Sequence, residues 1–560
     1  MTDGSGHPVF HRLADHGLHV TFGEAIDVAL SQRIAALTAS LRSGAIPGVR
    51  DLVPSYTTLV VVLDPAIADR DDLERRVREL WHDSDSRPGT VAGLSSGRSV
   101  VIPVAYGGVH GPDLRDVART TGLSTDEVVR RHAGADYAVG ALGYAPGFAF
   151  LIGLPPELAT PRRSTPRVEV PVGSVGIGGR QTGVYALPTA GGWSLIGQTP
   201  LRMFDPLRDQ PSMLRTGDAV RFDPIDHATF VQMEQPEQRH VERIARSSAP
   251  APIVHRPGMV VLEPGLLTSV QDLGRSGLGH IGVSPGGAVD RGALVTGNRL
   301  VGNADGAAAL EITLAGPHLR FLRPARIAIT GADLGGRLNG ERFLTGRARV
   351  VHAGDDLTFD PRTAGGGARA YLCISSASSS ASGCPSVGGI EVPVEMDSRA
   401  TDLTAGFGGF RGRPLRAGDH LSWGASADRK REATGAVPVV TAWRRPFRLV
   451  RGPQADRFDD RAWRTFLTHR WRVSSKSNRV GIRLEGPSIV TRDRSDLISE
   501  GMVTGSIQIT GEGQPIVMLP ARATIGGYPK IATVIAADLD RLGQLRPGET
   551  IRFAEATVSD

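Results

Sequence analysis

The hexapeptide Gly217-Asp218-Ala219-Val220-Arg221-Phe222 sets a Gly-acid turn ahead of apolar residues two positions apart. It recurs as Gly354-Asp355-Asp356-Leu357-Thr358-Phe359, as Gly418-Asp419-His420-Leu421-Ser422-Trp423 and as Gly548-Glu549-Thr550-Ile551-Arg552-Phe553. A spacing of two puts Val220 with Phe222, and each later pair, on one face of a β-strand, so a turn-then-strand unit repeats along the chain. A Gly-Asp pair also opens a common turn type with no repeat behind it. Two of the copies nonetheless close stretches that other signals mark as domains, near residues 225 and 555, and we take them as module ends.

Working outward from these turns, the 560 residues exceed the roughly 250 to 300 at which single cores stop growing, so three or four domains are expected. The 70 Gly and 38 Pro favour turns and short strands over long helices, which gives a mainly β fold class. Near the N-terminus, Leu18 to Phe22 reads as a strand, Ile34, Leu37 and Leu41 share a helical face, Leu59 to Leu63 reads as a buried strand, and Leu73, Val77 and Leu80 repeat the helical spacing. Residues 1–97 therefore read as an α+β domain. Residues 98–232 read as a β domain with a helical insert, where Ser124-Thr125-Asp126-Glu127 has capping-box form and Gly134 is the stop. Residues 233–257 form a polar, Pro-rich linker, and the rest divides into β domains at 258–440 and 441–560.

The formal charge of +6 does not point to nucleic acid, because acidic and basic residues are interspersed and the excess is almost wholly Arg, the lysines being Lys430, Lys476 and Lys530. Cys373 and Cys384 carry neither a CxxC nor a histidine at metal-ligand spacing, so no disulfide framework and no metal site is expected. The stretch Met1 to Phe10 is polar, and the longest apolar run, Leu59 to Leu63, is too short to span a bilayer, so a cytoplasmic location without membrane contact is expected.

No lysine follows a glycine, so there is no P-loop and ATP would need another cradle. No GxSxG stands in a strand-turn-helix context, and no Ser-x-x-Lys is present. What remains is a series of glycine-punctuated segments: Tyr106-Gly107-Gly108-Val109-His110-Gly111-Pro112, Leu142-Gly143-Tyr144-Ala145-Pro146-Gly147-Phe148, Pro161-Arg162-Arg163-Ser164-Thr165-Pro166-Arg167, Gly179-Arg180-Gln181-Thr182-Gly183 and Gly191-Gly192-Trp193. On these the stretch from about Leu18 to Ile225 resembles the allophanate hydrolase subunit 1 family, also called KipI-like or carboxyltransferase subdomains C and D. The second half resembles the companion KipA-like family, carboxyltransferase subdomains A and B. Its matching segments include Glu263-Pro264-Gly265, Gln271-Asp272-Leu273-Gly274-Arg275, Ala288-Val289-Asp290, Leu310-Glu311-Ile312-Thr313, Thr330-Gly331-Ala332-Asp333, Gly452-Pro453-Gln454 and Gly526-Gly527-Tyr528-Pro529. Met259 lies where a separate second chain would begin. Pro285-Gly286-Gly287 and Arg522-Ala523-Thr524-Ile525 depart from the family's usual wording, and Ser375 to Gly389 is a Ser-rich stretch where a shorter loop is expected.

The resemblance implies cyclophilin-like β-barrels in both halves and a fusion of the B and C components of 5-oxoprolinase. Such an enzyme cleaves 5-oxo-L-proline to L-glutamate with ATP, Mg²⁺ and a LamB/YcsF-type partner, and it could be a homo-oligomer. Alternatives are a biotin-dependent carboxyltransferase component, with biotin on another chain, and a KipI-type inhibitor of a sensor histidine kinase. Activating a lactam by phosphorylation needs carboxylates for Mg²⁺ and protons, and cations for phosphoryl charge. Asp290, Glu311, Asp333 and Lys530 are the catalytic candidates, and His110, Gln181, Arg275 and Tyr528 the substrate-binding ones. Bland alternatives stand beside them, Asp290 and Asp333 as turn caps, Arg275 as a surface partner of Asp272, His110 and Gln181 as satisfied turn residues, and Trp193 as core.

Overall fold

The computed structural model describes residues 7–86, 98–234, 257–376, 388–424, 445–493 and 497–557. The expected linker, apart from its first two residues and Pro257, and most of the Ser375–Gly389 stretch lie outside the described residues.

The N-terminal strands Val9–Arg12, Gly17–Thr21, Thr58–Leu63 and Val49–Pro54 lie in that order in an antiparallel sheet. Leu59 and Val61 pack with Ile34, Leu37 and Leu41 of helix Val28–Ser43 and with Leu73, Val77 and Trp81 of helix Arg70–Ser86. Val60, pointing the other way, packs with Val53 against later parts of the chain. Leu59 to Leu63 is an unbroken apolar run because both faces of the sheet are covered.

Of the next nine strands Arg167–Val170 and Thr189–Gly191 pair with each other, and the other seven form a closed barrel. Its first strand, Ser99–Tyr106, pairs in parallel with its last, Ala219–Ile225. Helices Leu114–Thr121 and Thr125–Ala133 cover it, and the Ser124 hydroxyl accepts the Glu127 N–H at 3.2 Å, as the capping pattern requires. Trp193 is buried among Phe148, Phe150 and Tyr185.

In the second half a six-stranded and a five-stranded sheet share one core, with Val261, Leu319 and Leu357 from one and Val270, Leu310 and Leu372 from the other. Of the last ten strands Glu500–Gly501 and Ile525–Gly526 pair with each other, and the other eight form a sheet with Thr550–Ile551 at one edge and Phe553–Glu555 at the other. Only Arg552 separates them, so the sheet curls almost shut, and Phe447–Arg451 pairs in parallel with Phe553–Glu555. The fold is thus mostly strand, with a barrel in each half.

The repeated hexapeptides share one turn. Gly217, Gly354, Gly418 and Gly548 take φ of 90°, 95°, 86° and 86°. The following acid then accepts the backbone N–H three residues earlier, Asp218 from Arg215, Asp355 from His352, Asp419 from Arg416 and Glu549 from Arg546. Local turn chemistry explains the repeat, and the first and last copies each launch the strand that pairs in parallel with the first strand of its barrel.

The two halves interlock. Ile281, Val283 and Phe407 complete the core of the first barrel, and Val503 and Ile525 join Leu13, Val53, Val60 and Phe148 in a core drawn from both halves. Gly143 lies at the seam, at φ 148°, its carbonyl accepting the Thr524 N–H at 3.0 Å, and a Cβ there would sit 2.0 Å from Thr524 Oγ1. Gly282, at φ 80°, packs its backbone on Gly143.

Candidate functional site

The segment Ile498 to Gly501 runs along this seam. Strand Glu500–Gly501 pairs with Ile525–Gly526 and lies against Val49–Pro54 and Thr58–Leu63. Behind it the buried Glu500 carboxylate bonds His19 Nε2 at 2.9 Å, accepts from Gln454 Nε2 at 2.5 Å and pairs with the Lys530 ammonium, which is 0% exposed. Burial alone would raise the Glu500 carboxyl, but Lys530 and His19 hold it well below the usual carboxylate range. Gln454 Oε1 accepts the Lys530 backbone N–H at 3.1 Å, so the network is closed on itself.

In front of the segment is a cavity of about 390 Å³. Ile26 and Tyr56 wall it from the N-terminal domain, Leu151, Arg180 and Gln181 from the first barrel, and Ile498 from the second half. Strands Ser174–Gly178 and Gln181–Val184 are joined by Gly179-Arg180 alone, and Gly179 takes φ 64°. This two-residue hairpin carries Arg180 at its tip and Gln181 at the strand start. Gln181 Nε2 donates to Tyr56 Oη at 2.6 Å. Burial raises the Tyr56 phenol, against the opposing charge of Arg162. The arrangement offers the Arg180 cation and the Gln181 amide to one space, with the fully buried Tyr56 phenol holding the amide in place, which suits binding a small polar molecule.

Of the residues singled out in the sequence, Gln181 lines this cavity and Lys530 lies in the Glu500 network. Tyr528 is half exposed on the loop between Gly526 and Lys530, its carbonyl accepting from Gln508 Nε2 at 3.3 Å. His110 has other company, Gln198 and His227 at 2.9 Å each and the Phe230 ring at 4.2 Å. Arg275 is a correction to the surface pairing with Asp272, because it is buried. It donates to the Glu395 and Ala400 carbonyls at 3.3 and 2.7 Å and stacks on Phe407.

The three acids do not form one cleft with Lys530. Asp290 caps helix Arg291–Leu300, Oδ1 accepting the Ala293 N–H at 2.9 Å and Oδ2 accepting from Gln544 at 2.6 Å. Glu311 accepts from Tyr371 at 2.7 Å and from Val289 N–H at 3.1 Å and pairs with Arg479, and Tyr371 in turn accepts the Asp290 N–H, so these two acids share a neighbour. Asp333 accepts the Gly335 N–H at 3.1 Å and pairs with Arg342 at 2.6 Å, the turn-capping alternative in full. Mg²⁺ requires carboxylate oxygens free for an octahedral shell. The oxygens of Asp290, Glu311 and Asp333 are engaged by protein donors, and among the described residues no three His, Cys, Asp or Glu side chains converge to hold a metal. These residues therefore do not fit a Mg²⁺–ATP site.

Tyr56, Arg180, His19 and Glu500 were not singled out from the sequence. His19 and Glu500 are 481 positions apart and meet only through the fold. Arg180 and Gln454 did stand in quoted segments, Gly179-Arg180-Gln181 and Gly452-Pro453-Gln454.

Burial, with the nearby Asp540 charge, pushes the Asp290 carboxyl up to about 6, against the ordinary 3.8. The folded chain then binds this proton before the unfolded chain does, so Asp290 favours folding as pH falls from about 6 towards 4 and opposes it above about 6. Asp290→Asn keeps the cap and should flatten that dependence. Melting curves from pH 4 to 8 should show wild type gaining stability as pH falls from about 6 towards 4 and the variant, which does not titrate there, gaining none of it. An unchanged slope would contradict the assignment.

Residues 8–214 match the carboxyltransferase domain, subdomain C and D, and residues 281–555 match the carboxyltransferase domain, subdomain A and B. The chain is 37% identical over 300 residues to the C component of 5-oxoprolinase from Escherichia coli K12, covering 54% of this chain and 92% of that protein. It is 39% identical over 233 residues to the B component of 5-oxoprolinase from Bacillus subtilis 168, covering 39% of this chain and 93% of that protein. The crystal structure of TTHA0988 matches with a TM-score of 0.79 at 34% identity, over 96% of this chain and 99% of that one.

Proposed function

Because this chain belongs to the carboxyltransferase domain family, subdomains C and D preceding A and B, we propose that it is the fused B and C components of a 5-oxoprolinase. The reaction is ATP-dependent opening of 5-oxo-L-proline to L-glutamate, and a LamB/YcsF-type chain is the partner. The observation that carries this is the seam itself. The stretch similar to the B component and the stretch similar to the C component share two cores and enclose one cavity within a single chain.

This chain's own residues bind and orient. Gln181, held by the buried Tyr56 phenol, supplies a polar contact, Arg180 supplies charge, and Ile26 and Ile498 supply apolar wall. Since the acids do not fit a Mg²⁺–ATP site, the nucleotide belongs with the partner chain, and the two proteins must meet for turnover. Purified alone, the chain should release no glutamate from 5-oxoproline. Glutamate should appear on adding the LamB/YcsF-type protein with ATP and Mg²⁺. Robust ATP-dependent turnover by the isolated chain, or none from the mixture, would contradict the proposal.

A further inference from the structure

We infer, on the functional reading above, that His132 is a positioning residue for the proposed reaction: sealed inside the first barrel, it holds through Thr182 the strand that presents Gln181 to the cavity. His132 lies on helix Thr125–Ala133 and is fully buried, as is Thr182. Its ring stacks on Phe222 with centroids 4.7 Å apart. Nδ1 is 2.9 Å from Tyr106 Oη, Nε2 is 2.9 Å from Thr182 Oγ1, and Thr182 Oγ1 donates to the Gly176 carbonyl at 3.0 Å. A carbonyl only accepts, so the single Thr182 hydroxyl hydrogen goes to Gly176 and the hydroxyl oxygen accepts from His132. Nε2 is then the protonated nitrogen, and Nδ1 accepts from the Tyr106 hydroxyl. One tautomer of a neutral ring satisfies every bond from Tyr106 to Gly176. Burial pushes the His132 imidazole down to about 3, which keeps that ring neutral.

Thr182 follows Gln181 in strand Gln181–Val184, so the two side chains leave opposite faces of that strand. Gln181 lines the cavity and donates to Tyr56 Oη at 2.6 Å. The start of the strand is thereby pinned from the N-terminal domain on one face and from the helix on the other. Removing the Thr182 hydroxyl would leave the His132 N–H unpaired in the barrel interior, where an unmade bond is most costly, and ring and strand would shift to relieve it. The shift reaches Gln181 one residue away, and turnover falls steeply when a group that orients the substrate is misplaced.

The test compares two full-length variants that each lose one buried hydroxyl bond to His132. Thr182→Val cuts the link to the strand. Tyr137→Phe removes the donor to the His132 carbonyl, a bond of 2.8 Å that lies off that strand. With the partner chain, ATP and Mg²⁺, Thr182→Val should lower kcat/KM for glutamate formation about 10-fold or more, while Thr182→Ser, which keeps the hydroxyl, and Tyr137→Phe should each stay within about 2-fold of wild type. The two hydroxyl-deletion variants should lose comparable melting temperature, so a loss of rate in Thr182→Val alone is not a loss of stability. By NMR the wild-type His132 ring should carry its hydrogen on Nε2, and the Gln181 side-chain amide signal should move in Thr182→Val and stay in Tyr137→Phe. Wild-type kcat/KM in Thr182→Val, an equal fall in Tyr137→Phe, or a hydrogen on Nδ1 would overturn the inference. The amide signal separates the two readings. Wild type without turnover but with a Gln181 amide that moves in Thr182→Val alone would remove the reaction and leave the clamp, whereas wild-type turnover that Thr182→Val retains would remove the clamp and leave the reaction.

Discussion

Replacing Lys530 by Met should lower the melting temperature by roughly 10 °C. The ammonium is wholly buried and paired with Glu500, itself bonded to His19 and Gln454. Removing one member of a buried pair strands the other charge in a low-dielectric interior, at a cost of about 3 to 5 kcal/mol. Replacing both members is far cheaper, because no charge is then left uncompensated. Lys530→Met combined with Glu500→Gln should therefore regain more than half of the lost stability, since the amide that replaces the carboxylate can still bond His19 and Gln454. Thermal melts of both singles and the double measure the coupling. Additive losses would show that the pair is not coupled. The double variant also tests the catalytic role proposed for Lys530, because a stable double variant with normal partner-dependent turnover would leave Lys530 a purely structural role.

The second large effect concerns the seam. A chain carrying a protease site between Ser247 and Ser248, once cleaved, should still elute from size-exclusion chromatography as one species. The shared cores, rather than the connection, hold the halves together. Gly143→Val in the cleaved chain should separate them, because any side chain at this φ is strained and its Cβ would overlap Thr524 Oγ1. Separate elution of the cleaved wild type would contradict the interlocked arrangement, and so would a cleaved Gly143→Val chain that stays whole.

Much of the local architecture was legible in the sequence because short-range physics decides it. The helical spacing of Ile34, Leu37 and Leu41, the apolar run Leu59 to Leu63 and the Ser124–Glu127 cap each report on neighbours a few residues away. The glycine-rich segments also stood out, but their reason did not. Gly143, in one of those segments, is small because its backbone touches that of Gly282 from the opposite half. Nothing in the spacing of that segment says which other segment it meets. The acids show the same limit from the other side. An Asp ahead of a helix, such as Asp290, has the sequence form of an N-cap, and the cap is what the structure contains. Reading it as a shared catalytic cleft required Glu311, Asp333 and Lys530 to converge, and tertiary pairing gave each of the last two a different partner. Gln181 was legible as a polar residue on a glycine-rich turn. Tyr56, 125 positions away, completes its site and carried no sequence signal of its own.

Chemistry seated where the two halves meet should be lost with the residues that line the cavity there. The most direct measurement is kcat/KM for glutamate formation from 5-oxoproline, with ATP, Mg²⁺ and the LamB/YcsF-type partner, in wild type and Gln181→Ala. Gln181 reaches the cavity from one half and meets Tyr56, while Ile498 closes it from the other. The account expects a fall of about 100-fold or more, on the order of 3 kcal/mol of lost transition-state binding, with the melting temperature changed by only about 3 °C. Turnover undiminished in a folded Gln181→Ala chain would contradict it.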